Sequence, residues 1–233
     1  MLLKVARRSF STYFCKRSLD AMKKFLVLGI LFILPITVYI FFASGKDNFV
    51  KLPVITQSVA ELDGFKTLQG ESVSLKDHIT VLGFFGKDAL ANKVNAFNLA
   101  HKIYKKNQGF LDFQLIVLLP EGTEEKAIEL ESKLSEIADT KQWKFVFGTS
   151  EAIEKVFSSL KTDYSLDNNY ASPYVFIIDK DSNLRGRNDD EDKGLLFGFD
   201  ASDIAEINNK MSDDIKVILA EYRLELKKYK ADR

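Results

Sequence analysis

The chain reads as an α/β protein, a central mixed sheet flanked by helices, preceded by one N-terminal transmembrane helix. Three observations lead there. Residues 25–45 form an unbroken run of 21 without a charge. From residue 52 onward, strand-length apolar runs alternate with segments of helical periodicity. The single cysteine, Cys15, lies ahead of the uncharged run, so everything after it lacks a thiol.

The uncharged run begins Phe25-Leu26-Val27-Leu28. At a helical rise of about 1.5 Å per residue it covers the roughly 30 Å hydrocarbon core of a bilayer. Pro35 falls mid-run, which membrane helices tolerate when neighbouring groups take up the freed carbonyl. Lys4, Arg7, Arg8, Lys16, Arg17, Lys23 and Lys24 precede the span against one acid, Asp20. Basic flanks stay cytoplasmic, so residues 46–233 are expected outside the cytoplasm. The division that follows is a basic tail or over-extended start at 1–24, a signal anchor at 25–45, a tether at 46–51 and a folded domain at 52–233. Ala43-Ser44-Gly45 offers small residues for a signal peptidase. Phe41, however, stands where cleavage after Ala43 wants a small side chain, which favours a retained anchor.

Met22-Lys23-Lys24 is a second plausible start, typical of a bacterial signal anchor. The expected location is the bacterial inner membrane with the domain in the periplasm. Arg7, Arg8, Ser9, Ser11, Lys16, Arg17 and Ser18 also fit a mitochondrial transit peptide, which makes the mitochondrial inner membrane the alternative. Beyond residue 45 the chain carries 26 basic and 32 acidic side chains, a net charge of −6. No basic face for nucleic acid is offered. The length suffices for one domain with a substantial core.

Leu52-Pro53-Val54-Ile55 opens the domain as a peripheral strand. Gly64–Leu68 and Ser72–Leu75 read as a hairpin turning at Gly70. Ile79-Thr80-Val81-Leu82-Gly83-Phe84-Phe85 is apolar throughout, as a strand covered on both faces must be. Asp88 is placed to cap a long helix carrying Leu90, Val94, Phe97, Ala100 and Tyr104 on one stripe. Phe113–Leu119 repeats the buried-strand pattern, and 124–139 is amphipathic through Ala127, Leu130, Leu134 and Ile137. Trp143, Phe145 and Phe147 mark a further strand. Ser150 caps a helix with Ile153, Val156, Phe157 and Leu160. Tyr174–Asp179 is another central run, turning at 180–183. A last helix spans about 202–228, with Ile204, Ile207, Met211, Ile215, Ile218, Tyr222 and Leu226 in line.

Strand, helix and the runs Thr80-Val81-Leu82-Gly83-Phe84-Phe85-Gly86 and Ser172-Pro173-Tyr174-Val175-Phe176-Ile177-Ile178-Asp179 resemble those of thioredoxin-like proteins. Together with the anchor they are most similar to the SCO/SenC copper-protein branch, over roughly residues 52–220. The resemblance implies a thioredoxin-like fold with a cis-proline, Pro173, before a core strand. It also implies a copper site made by two cysteines separated by three residues after the first central strand, plus a distant histidine before a later strand. Here Gly86-Lys87-Asp88-Ala89-Leu90-Ala91 stands at the first place and Asp167-Asn168-Asn169-Tyr170-Ala171 near the second. None of the three ligands carries over. Cu(I) prefers thiolate and thioether donors, so no tight copper and no cofactor is expected, and thiol exchange lacks its nucleophile. The segment Gly86, Lys87, Asp88 and Ala89 marks the equivalent of the family's active-site region, with no catalytic and no metal residue assigned.

Other chemistry-bearing residues have plainer readings. His78 precedes a strand and His101 lies on a helix flank, without further soft ligands nearby in sequence. Asp179, Asp181, Asn183 and Asp190 follow calcium-loop spacing, but Leu184 replaces the required glycine and Asp190 the bidentate glutamate. Arg185-Gly186-Arg187 with Asp189–Asp192 reads as a solvated connection, or as a docking surface for a charged partner. Lys227, Lys228, Lys230 and Arg233 complement a helix C-terminus. Three functions remain open: a redox-inactive, non-enzymatic protein that binds a protein partner, in the assembly of respiratory or envelope complexes; a copper chaperone or thiol-redox protein for cytochrome oxidase assembly; and a small-molecule binder using a groove between Gly86–Asp88 and Pro173.

Overall fold

The computed structural model describes residues 23–42, Ser44 and 51–231, and Cys15 and the first basic residues lie outside that range. The chain divides into two compact units, 1–48 and 49–233. In the first, helix α1 (Lys23–Phe42) is 20 residues long and uncharged after its two lysines. At about 1.5 Å per residue it is near 30 Å, the thickness of a bilayer core. It runs without a break through Pro35.

In the second unit an eight-stranded sheet contains β1 (Val54–Thr56), β2 (Lys66–Thr67), β3 (Ile79–Phe85), β4 (Phe113–Pro120), β5 (Trp143–Gly148), β6 (Ala171–Ile178), β7 (Leu184–Arg185) and β10 (Phe199–Asp200). The order is β1-β7-β6-β3-β4-β5-β2, with β10 beside β6. Strands β3, β4 and β5 are parallel, while β6 is antiparallel to β3 and to β7. A parallel β3–β4 pair flanked by the antiparallel β6–β7 hairpin is the thioredoxin-like arrangement. A separate hairpin, β8 (Arg187–Asp190) with β9 (Gly194–Leu196), follows β7.

Parallel neighbours need crossover helices, and these cover the faces. Helix α2 (93–107) links β3 to β4, and α3 (Glu124–Ser135) links β4 to β5. Both lie with the last helix, α5 (204–231), on one face. There Ala96, Leu99, Ile103, Leu130, Ile207, Met211 and Ile215 meet Val81, Leu115, Val117, Phe145 and Ile177. The other face packs Leu82, Phe84, Ile116, Val146 and Phe176 against α4 (Ser150–Ser159) and the 59–75 segment through Ile153, Val156, Phe65 and Leu75. Every residue of β3 and β4 is buried, which is why these strands show no alternation.

Several expectations are corrected. Residues 72–75 form no strand. Instead β2 pairs with β5, and the Gly70 turn, at φ +80°, closes on Thr67 and Glu71. Helix α2 starts at Lys93 rather than near Asp88, because 88–92 is spent in successive tight turns. Its buried face is therefore Ala96, Leu99, Ala100, Ile103 and Tyr104, leaving Val94 exposed. Helix α3 ends at Ser135 instead of 139. Thr149, not Ser150, caps α4, its side chain accepting from the Ala152 N–H. Helix α5 starts at Ile204, which is exposed, behind an Asp203 cap. Both α2 and α5 contain a π-helical turn, at Ala100–Tyr104 and Ile207–Met211, and the two turns pack against each other.

The charged segment 185–192 is not a solvated loop. Arg185 is only 4% exposed. Its guanidinium donates to the Leu52 carbonyl at 2.8 Å, to Asp179 at 3.0 Å and to Glu221 at 2.7 Å. Burial would lower its pKa, but the Asp179 hydrogen bond and the Glu221 charge outweigh that and raise it. Arg187 grips Asp214 of α5 through both carboxylate oxygens, and Lys210 bridges Asp190 and Asp192 at 2.7 Å each. These cations fasten α5 to the β7–β9 region.

Candidate functional site

The C-terminal edge of β3 brings together the two segments that the sequence set apart. Phe85 lies opposite Ala171 of β6, and the backbone then turns at Gly86, whose φ is +66°. A side chain there has no room: an ideal Cβ would lie 2.3 Å from the Asn169 carbonyl oxygen and 2.9 Å from Ala171. The Lys87 N–H donates to that same carbonyl at 2.9 Å. Turn 86–91 and loop 167–171 are thus interlocked, backbone against backbone.

Asp167 makes the second half rigid. One carboxylate oxygen accepts from the Asn169 and Ala171 N–H groups at 2.8 Å each. Tyr170 is held at φ +64°, and its ring lies 5.1 Å from the Lys87 ammonium, within cation–π range. Asp88 pairs with Lys126 of α3 at 2.9 Å, and this hydrogen bond keeps its carboxyl below the ordinary value. Ala89 is buried, and Asn92 donates to the Phe85 carbonyl at 3.0 Å, tying the helix entry to the strand end. Sequence reasoning missed Lys126, Asn169 and Tyr170 as partners. Only the Asp167-x-Asn169 spacing, which suits a side chain closing its own turn, hinted at this loop.

The expected cis-proline is corrected. Among the described residues no peptide bond is cis, so the bond preceding Pro173 is trans. Pro173 sits where the β3–β6 register shifts between Gly83 and Phe85. An irregular ladder makes no demand on the N–H that proline lacks. Its carbonyl accepts from the Ala201 N–H at 2.9 Å, and Ala201 in turn accepts from Asn98 of α2 at 3.0 Å.

The donor set does not fit copper. Gly86–Ala91 and Asp167–Ala171 contain no thiol, thioether or imidazole, and the charged groups Lys87 and Asp88 already have partners. His78 stands at the far end of β3, its Nδ1 2.9 Å from the Lys76 carbonyl, and His101 is exposed on α2. Among the described residues no three histidine, cysteine or acidic side chains converge. The calcium-like spacing fails for a structural reason. Asp179 accepts from the Asp181 and Asn183 N–H groups and from Arg185, and Asp190 from Asp192, Lys193 and Lys210. An apolar cleft of about 360 Å³ lies at the opposite end of the sheet around Ile79, Leu219 and Tyr222.

No protein-family model matches this chain, and no curated protein matches it. Solved structures do. BsSco, described as a member of the Sco family of cytochrome c oxidase assembly proteins, aligns at 15% identity over 72% of this chain and 97% of its own, with a TM-score of 0.49. A SCO1/SenC family lipoprotein from Bacillus anthracis aligns at 14% identity over 75% and 99%, with a TM-score of 0.48. ScoI from Arabidopsis thaliana, solved with copper bound, aligns at 14% identity over 68% and 99%, with a TM-score of 0.44. All three are matches of structure at low identity.

Proposed function

We propose that this chain is a membrane-anchored, extracytoplasmic protein of thioredoxin-like fold that acts by binding a protein partner and performs neither thiol nor copper chemistry. The observation that carries this reading is the interlock of 86–91 with 167–171. The end of the sheet where the family's chemistry is expected is closed by the chain's own backbone, and it presents Lys87, Tyr170, Asn168 and the Asp88–Lys126 pair as a preformed polar surface. Such a rigid surface suits recognition, because little ordering remains to oppose binding.

The uncharged helix and its basic N-terminal flank support a location in the bacterial inner membrane with the domain in the periplasm. The sequence resemblance to SCO proteins makes respiratory or envelope assembly complexes the partners to seek. The test places a photo-crosslinking residue at Asn168 in the full-length protein in native membranes, with Glu154 on α4 as control. A defined adduct from position 168 alone, reduced by Lys87→Glu, is the expected result. Equal labelling from both positions, or none from 168, would count against the reading.

A further inference from the structure

At the end of the sheet where β3 and β4 begin, loop 108–112 lifts two large apolar side chains off the surface. Leu111 is 88% exposed and Phe110 42%. Their backbone is fixed, since Gln142 donates to the Phe110 carbonyl at 3.0 Å and the Ile79 N–H to that of Asp112 at 2.7 Å. The side chains project by construction rather than by slackness. Behind them Ile79, Leu219 and Tyr222 line the apolar cleft.

Cations ring this patch although the chain beyond the span is net acidic. Lys180 and Arg223 border the cleft, and Lys106 and Lys216 border a neighbouring hollow that shares Phe110 and Leu219. The acids at this rim are already engaged, Asp112 with Lys180 and Asp213 with Lys216. The chain also enters the domain here. Lys51 pairs with Glu221 at 3.0 Å, the residue before Tyr222. Nine peptide steps separate Phe42, the last residue of the apolar helix, from Lys51, a reach of at most about 32 Å fully extended.

We propose that this end of the domain rests on the bilayer surface. Phe110 and Leu111 enter the boundary between headgroups and acyl chains, and Lys106 and Arg223 face anionic lipid headgroups, with the Lys180–Asp112 and Lys216–Asp213 pairs beside them. The retained span keeps a membrane within reach. The 86–91 turn lies at the other end of β3, whose seven residues span roughly 20 Å. The inference rests on the anchor but not on the protein-binding reading, and lipid contact stands or falls independently of any partner.

The test uses the full chain with Cys15→Ser and one new thiol, Leu111→Cys, carrying an NBD fluorophore, in vesicles of phosphatidylcholine with about one third phosphatidylglycerol. Leu195→Cys, labelled likewise on the β8–β9 hairpin, is the control, and emission from the buried Trp143 verifies that each protein is folded. Acyl-chain doxyl lipid should quench position 111 several-fold more than 195. The difference should shrink in pure phosphatidylcholine, in high salt and in Lys106→Gln/Lys216→Gln/Arg223→Gln. Equal quenching at the two positions overturns the proposal. So does protection of 111 that tracks the protein-to-lipid ratio, which marks a second copy, or that needs added membrane proteins, which marks a protein partner.

Discussion

Replacing Gly86 by alanine tests the interlock most directly. Two costs are separable. A non-glycine residue at φ +66° pays about 1 kcal/mol for the left-handed conformation. The added Cβ must also displace the Asn169 carbonyl from 2.3 Å, and moving that carbonyl loosens its hydrogen bond from the Lys87 N–H, worth about another 1–2 kcal/mol with the strain of loop 167–171. Gly64→Ala is the control, because Gly64 lies at φ +85° with nothing within 4 Å of its Cβ position. It should cost only the first amount. Urea unfolding of the detergent-solubilised full chain can be followed by Trp143, its single tryptophan, 2% exposed in the fold. The expected losses are about 1 kcal/mol for Gly64→Ala and about 2–3 kcal/mol for Gly86→Ala. Equal losses for the two variants would refute the backbone interlock.

Three further outcomes follow from the charged groups and the missing ligands. Arg185→Met leaves Asp179 and Glu221 buried without their guanidinium. Breaking such a pair costs about 3–5 kcal/mol, and the lower end is expected because Lys51 and the backbone N–H groups remain; chemical denaturation measures it. Asp190 is a pH reporter. Burial alone would raise its carboxyl, but Lys210 and the N–H groups of Asp192 and Lys193 outweigh it and hold the pKa below the ordinary carboxylate value. Its contribution is therefore present above the unfolded value and lost as pH falls through the lower folded one. The stability gap between the wild type and Asp190→Asn should be widest at neutral pH and close during an acid titration, and a gap that widens in acid would reverse the assignment. Finally, the full chain should not compete with a nanomolar chelator for Cu(I), with or without Cys15→Ser; stoichiometric uptake would overturn the proposed function.

The core of the fold was legible because buried strands and amphipathic helices write their environment into the sequence. The apolar runs at 79–85 and 113–119 are strands, and Ile207, Met211, Ile215 and Ile218 all face the sheet. What escaped was decided by tertiary partners. Nothing local to Arg185 says that Glu221, 36 residues away, will bury it. Nor does Gly86 reveal by itself that Asn169 will close over it. The 72–75 strand failed for a related reason, since β2 spends its hydrogen bonds on β5 instead. Pro173 does lie at the opening of a core strand, but its peptide bond is trans rather than cis.

The closed turn also fixes where new chemistry could be installed. Two thiols separated by three residues fit the 86–91 segment as 86 with 90 or as 87 with 91, and the first pair is forbidden by the space Gly86 lacks. Lys87 and Ala91 are both exposed. A designer converting this scaffold into a dithiol reagent would therefore have one register to work with, and would give up the Lys87–Tyr170 contact to use it.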